Sequence, residues 1–125
     1  MTDAPNELNA AGTFDLLVSL ARSGGSDELG QMFEPYRPML AKLAHGLLDR
    51  HLRAKMDELD LVQEVFLRVN TGMDKFKGES RGEWEAWLKQ ILTHLAKDAN
   101  RWYRRTAKRN LGLEVRLSGN IARFL

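Results

Sequence analysis

Apolar residues recur at three- and four-residue intervals along nearly the whole chain, and no segment keeps an alternating apolar–polar pattern, so the sequence predicts an all-α fold. A first short helix carries Phe14, Leu17, Val18 and Ala21, with Thr13 as its predicted cap and Ser23-Gly24-Gly25 as its stop. Ser26 is placed to cap a second helix that aligns Leu29, Phe33, Tyr36, Leu40, Leu43 and Leu47. Pro35 and Pro38 each remove a backbone donor there and should kink or restart it. A third helix opens at Asp57 and runs to about Asn70. The fourth opens at Ser80, where Ser80-Arg81-Gly82-Glu83 has capping-box spacing, and continues to about Arg109, a length of about 45 Å. The expected organisation is a compact bundle of about four helices over residues 13–110, ending in a long basic helix. A disordered tail is expected over 1–12, and a linker or truncated remnant over 111–125.

On a helical wheel, Leu61, Val62, Val65, Phe66 and Val69 fill one side of the third helix, which is its core side. Asp60, Gln63, Glu64 and Arg68 fill the other, with Leu67 in their middle. One apolar anchor ringed by acids and an amide suits docking of a basic partner helix. An ordinary solvated face with one exposed leucine has the same composition.

In the fourth helix, Trp84, Leu88, Ile91, Leu95, Ala99 and Trp102 stack along the inward side. Lys97, Arg101, Arg104 and Lys108 recur on the opposite side, with Arg105 beside them and Asn100 and His94 at the edges. A cationic stripe of this kind is the footprint of a helix that tracks phosphates, and Asn100 and the arginines have donors for base edges. The alternative is a solubilising face. In the preceding loop, TGMDKFKGE at 71–79, Gly78 permits a tight backbone, Phe76 can anchor to the core and Lys77 sits between them. Such a loop can hold an unstacked base, or simply connect two helices. Trp84 and Trp102 are expected in the core, with Trp87 and Tyr103 partly exposed.

Charge sharpens the picture. The chain of 125 residues has a net charge of only +2, but residues 1–70 hold seven Lys/Arg against eleven Asp/Glu, and residues 71–125 hold twelve against six. One end is therefore suited to an anionic partner and the other is not. The length fits one domain. The absence of cysteine excludes disulfides, thiolate zinc sites and cysteine nucleophiles. His45, His51 and His94 are scattered, and the acidic group Asp57, Glu58, Asp60 and Glu64 has no histidine to complete a metal site. Gly78-Glu79-Ser80-Arg81-Gly82 lacks the Gly-Lys-Ser/Thr of a phosphate-binding loop. Asp98 lies one turn from His94 but is better placed to pair with Arg101. The expectation is a non-enzymatic protein with no cofactor and no metal. MTDAPNELNAAG has no apolar core of the kind a signal peptide needs, and no stretch approaches the roughly 20 apolar residues of a membrane span. A soluble, cytoplasmic protein is expected.

Taken in order, FEPYRPMLAKLAHGLL at 33–48, LDLVQEVFLRV at 59–69, FKGE at 76–79 and WLKQILTHLAKDANRWYRR at 87–105 resemble the promoter-melting domain, region 2, of bacterial extracytoplasmic-function sigma factors. The likeness runs from about Phe14 to Arg109, and LLVSLARSGG and AKRN resemble variants common in planctomycete-type bacteria. The resemblance implies that the third helix docks on the clamp helices of the RNA polymerase β′ subunit through Asp60, Gln63, Glu64 and Leu67. It implies that Phe76, Lys77, Gly78, Glu79 and Ser80 capture a base flipped from the non-template strand of the promoter −10 element. It further implies that Lys97, Asn100, Arg101, Arg104 and Arg105 track the upstream edge of that element. An anti-sigma factor is a further partner class that the resemblance admits; a membrane is not. The implied place of action is the cytoplasm, at the nucleoid.

Two departures stand out. His94 occupies a position where family members usually carry Asn. The family's second helical domain, which reads the −35 element, does not fit before Leu125, so a fragment or a single-domain relative is expected. Two other readings stay open: a sigma-like decoy or interaction module that binds polymerase without opening promoters, and a helical DNA-binding regulator.

Overall fold

Pro35 and Pro38 divide the predicted second helix in two. In the computed structural model, which describes residues 12–109 with side chains from Phe14 to Thr106, the chain forms α1 (Gly12–Arg22), α2 (Ser26–Phe33), a 3₁₀ turn (Glu34–Tyr36) and α3 (Arg37–Leu47). It continues through α4 (Arg50–Arg53), α5 (Glu58–Gly72), a second 3₁₀ turn (Met73–Lys75) and α6 (Arg81–Arg109). No strand occurs among the described residues, as the periodicity requires. Apart from Gly12, which starts α1, the tail expected over 1–12 and the remnant expected over 111–125 lie outside the described residues, as does the side chain of Lys108.

The helix ends follow local chemistry with two exceptions. Gly24, at φ +99°, makes the left-handed turn that stops α1. Asp57 caps α5, its carboxylate accepting the Leu59 N–H at 2.9 Å. Thr13, however, falls inside α1 rather than capping it. Ser26 falls inside α2, whose cap is Gly25 with no side-chain hydrogen bond.

Helices α3, α5 and α6 pack pairwise around the core. Leu40 and Ala44, then Leu61, Val62, Val65 and Val69, then Trp84, Leu88 and Leu92 are buried there. Because α6 lies against both α3 and α5, its buried stripe is wider than predicted. Leu92 and Ala96 join it, while Ile91 and Trp102 are only half-buried. Helices α1 and α2 form a hairpin closed by Phe14, Val18, Leu29, Met32 and Phe33. Phe33 meets Phe66 of α5 edge-on, with ring centroids 5.1 Å apart.

The corner between α3 and α4 depends on Asn100. Leu48 leaves the helix in extended conformation (φ −77°, ψ 139°). The Asn100 amide bridges the break: its Nδ2 donates to the Leu47 carbonyl at 2.9 Å, and its Oδ1 accepts the Asp49 N–H at 2.8 Å. Asn100 is buried with both ends of its amide engaged by the chain's own backbone. It is the polar partner that the α3–α4 corner needs once its backbone groups leave the helix ladder.

The entry to α6 is the capping box that its spacing announces. Ser80 Oγ accepts the Glu83 N–H at 3.1 Å, and Glu83 Oε1 accepts the N–H groups of Ser80 at 3.2 Å and Glu79 at 2.9 Å. These backbone donors, joined by the Ser80 hydroxyl, hold the Glu83 carboxyl below its ordinary pKa. Gly78 is needed just before it. A Cβ there would come within 2.7 Å of the Phe76 ring and 2.8 Å of Glu83 Cβ.

Two stability measurements follow from these contacts. Asn100→Ala leaves the Leu47 carbonyl and Asp49 N–H unmatched, at a cost of about 1–3 kcal/mol. The melting temperature should then fall by roughly 4–8 °C for each kcal/mol lost. An unchanged melting temperature would show that the bridge does not support the corner. Glu83→Gln keeps the shape but removes the charge, so it should be less stable than the parent at neutral pH. Since the folded pKa is depressed, that stability is present above the unfolded glutamate value of about 4.3 and is lost as pH falls through the lower folded value. Urea unfolding across pH 7 to 3 should therefore show the difference between the two proteins closing in acid. A constant difference would place the role of Glu83 outside its charge.

Candidate functional site

Helix α5 turns its apolar side to α3 and α6, which leaves a ridge facing outward. Leu67 stands at 47% exposure on this ridge, with exposed Gln63 one turn before it and half-buried Asp60 alongside. Leu59, at 53% exposure, extends the ridge by another turn. Sequence reasoning passed over Leu59 because it sits at the flank of the wheel, though its i, i+4, i+8 spacing with Gln63 and Leu67 was available as a signal. Gln63 Oε1 accepts from Arg37 Nη1 at 3.4 Å. The same guanidinium pairs with Glu34 at 2.9 Å, holding that carboxyl below its ordinary pKa, and lies over the Phe33 ring.

Glu64 does not share this ridge. It is buried at 7% exposure, and its Oε2 accepts from Arg68 Nε at 3.1 Å. The carboxylate is committed to Arg68, and burial of a charge requires such a partner.

The second face is built on the loop and α6. Phe76 is buried, stacked on Trp87 at 5.1 Å and edge-on to Trp84 at 5.3 Å. Its ring anchors the loop to the core, as its position in the sequence suggested. Lys77, Glu79 and Ser80 are exposed beside it, with Lys77 Nζ donating to the Asp74 carbonyl at 3.1 Å. Gly78 is half-buried.

Along α6, Lys97, Arg101, Arg104 and Arg105 are all exposed, as the wheel requires. Two of them also have acidic neighbours: Arg101 lies 3.5 Å from Asp98, and Arg104 reaches Asp49 of the α3–α4 corner at 2.8 Å. Exposed pairs of this kind are weak, so these arginines remain exchangeable toward an anionic ligand.

A cavity of about 350 Å³ joins these parts. The end of α5 and the following 3₁₀ turn give it Arg68, Thr71 and Lys75; α6 gives it Trp87, Ile91, His94 and Asp98. The lining combines aromatic and aliphatic side chains with several donors and one carboxylate, which suits a planar, polar-edged group. His94, read from the sequence as an edge of the cationic stripe and as a departure from the family pattern, is part of this lining. The cavity escaped the sequence because it is assembled from two segments that become neighbours only when α5 and α6 pack. Among the described residues there is no cluster of groups able to hold a metal ion, and no helix is long and apolar enough to cross a membrane.

The family model for Sigma-70 region 2 matches residues 32–109, which include both the α5 ridge and the α6 face. No significant match was found among curated proteins or among solved structures. Region 2 domains take part in RNA polymerase core binding and in recognition of the promoter −10 element during transcription initiation, and this family is non-enzymatic. With an all-α fold and a match across more than half of its residues, the chain belongs to the sigma-70 region 2 family.

Proposed function

We propose that the chain docks on the clamp helices of the polymerase β′ subunit through the α5 ridge and holds the unpaired non-template strand of the −10 element against α6. The observation that carries this reading is the arrangement of the two faces. Helices α5 and α6 bury their apolar stripes against each other, so the Leu59–Gln63–Leu67 ridge and the Lys97–Arg105 stripe point away from a shared core. One small domain can then hold protein on one side and nucleic acid on the other without competition between them.

On the protein side, Leu59 and Leu67 supply apolar anchors, with Gln63 and Asp60 as polar partners. On the DNA side, Lys97, Arg101, Arg104 and Arg105 attract phosphates while Lys77, Gly78, Glu79 and Ser80 border the strand's path. The cavity beside Trp87 receives the flipped base, with His94, Lys75 and Asp98 available to its polar edge. Melting is then a matter of binding. Unstacking costs a few kcal/mol per step, and aromatic stacking with phosphate contacts offsets it. Asn100 and Phe76 serve this face by shaping it. The extracytoplasmic-function class, with action in the cytoplasm, is the subtype that the quoted motifs support.

Two measurements test the two faces separately. Leu67→Asp and Gln63→Ala should weaken binding to polymerase core, with Leu67→Asp losing roughly tenfold or more as a central anchor. Circular dichroism should show both variants folded. These positions are cleaner than Glu64, where a substitution disturbs a buried ion pair. Parent-like core binding by both variants would remove the docking face and favour the regulator. Arg105→Ala should weaken single-stranded −10 DNA binding and reduce the slope of log K against log salt by about 0.7. Retained core binding with no affinity for such strands would identify a decoy.

A further inference from the structure

Helix α1 precedes the matched segment, yet its last turn is fastened to the 76–80 loop. Arg22 Nη2 donates to the carbonyl of Phe76 and reaches that of Gly78 at 3.5 Å. Its guanidinium lies 5.5 Å from the centre of the Phe76 ring. A second cation–π contact runs the other way, from Arg81 at the start of α6 to the Phe14 ring of α1 at 5.2 Å. The Phe76 ring in turn stacks on Trp87, which also lines the cavity. An unbroken series of contacts therefore leads from Arg22 through Phe76 to the Trp87 lining of the cavity. Carbonyl oxygens held by a guanidinium form charge-assisted hydrogen bonds, stronger than those between neutral groups.

We propose that α1 belongs to the strand-binding machinery, with Arg22 as the positioning residue that sets the 76–80 loop and the Trp87 wall for base capture. The inference rests on the strand-binding reading of that loop and cavity. Arg22 does not touch the strand; it acts through Phe76. Without it, the phosphate contacts of α6 survive and the base-dependent part of binding is lost.

The test uses the full chain with a labelled single strand, selected from a randomised pool as the parent's tightest binder. Copies carry one abasic residue at each position in turn. The parent should lose about tenfold in affinity at the captured position and little elsewhere. Arg22→Met should bind the intact strand and every abasic copy alike, with core polymerase binding unchanged. Arg22→Lys, which keeps a donor and a cation over the ring, should recover part of the discrimination. Hydrogen exchange of the Lys77–Ser80 amides should quicken in Arg22→Met while the buried amides of α3 and α5 keep the parent's rates. Parent-like discrimination or parent-like loop exchange in Arg22→Met overturns the proposal. Loss of core binding in that variant also overturns it, because Arg22 would then support the whole fold rather than the loop. If the parent itself discriminates at no position, the base-capture reading fails and the inference falls with it.

Discussion

The buried indole of Trp84 organises the part of the molecule on which function depends. Its ring is fully enclosed, and its N–H donates to the Met32 carbonyl at 3.0 Å. A buried donor without an acceptor costs about 1–3 kcal/mol, so the end of α2 and the start of α6 are held in register by one hydrogen bond. Phe76 and Trp87 pack on the same ring, and the loop between the second 3₁₀ turn and α6 must follow the path that they leave. Gly78 fits only because it has no Cβ. The capping box then finishes the turn, with the Glu83 carboxylate gathering the last loop amides.

From that junction the division of labour between helices follows. Helix α6 packs against α3 and α5 along a stripe that stays buried as far as Asn100, so its cations emerge on the free side. Helix α5 faces the other way and leaves two leucines in solvent. Exposing them forgoes burial energy of roughly 1.5–3 kcal/mol each if fully buried. In the proposed function that energy is recovered on docking. In the same proposal the strand-binding surface is prepared in advance, since a loop and a cavity already fixed by packing lose little entropy when the strand arrives.

Several features could be read from the chain because their causes are local. Asp57 before an apolar run, Ser80 three residues before Glu83, and a glycine pair after α1 each act on backbone groups within a few residues. The inward faces of α5 and α6 follow from helical periodicity, and the Asp98–Arg101 pair from spacing alone. Other features had no local signature. Glu64 looks like any solvated acid until the fold buries it with Arg68. Asn100 sits beside four cations in sequence, yet its amide is consumed by a corner some fifty residues earlier. The short α4 is a single turn, too brief for periodicity to register.

The sequence by itself therefore determined the longer helices, the caps at Asp57 and Ser80–Glu83, the inward sides of α5 and α6 and the separation of acidic from basic halves, because side-chain spacing and short-range hydrogen bonds act within a turn or two. The motifs also pointed to the sigma family. Only the tertiary structure decided which polar groups stay available. The hydrogen-bond partners of Asn100 and Arg22 lie far away in the chain, and Glu64, paired with Arg68 on its own helix, is buried only by packing. The cavity beside Trp87 likewise exists only where α5 and α6 meet. Availability to a partner is what remains after the fold has satisfied its own buried donors, acceptors and charges, and that account is settled in space rather than along the chain.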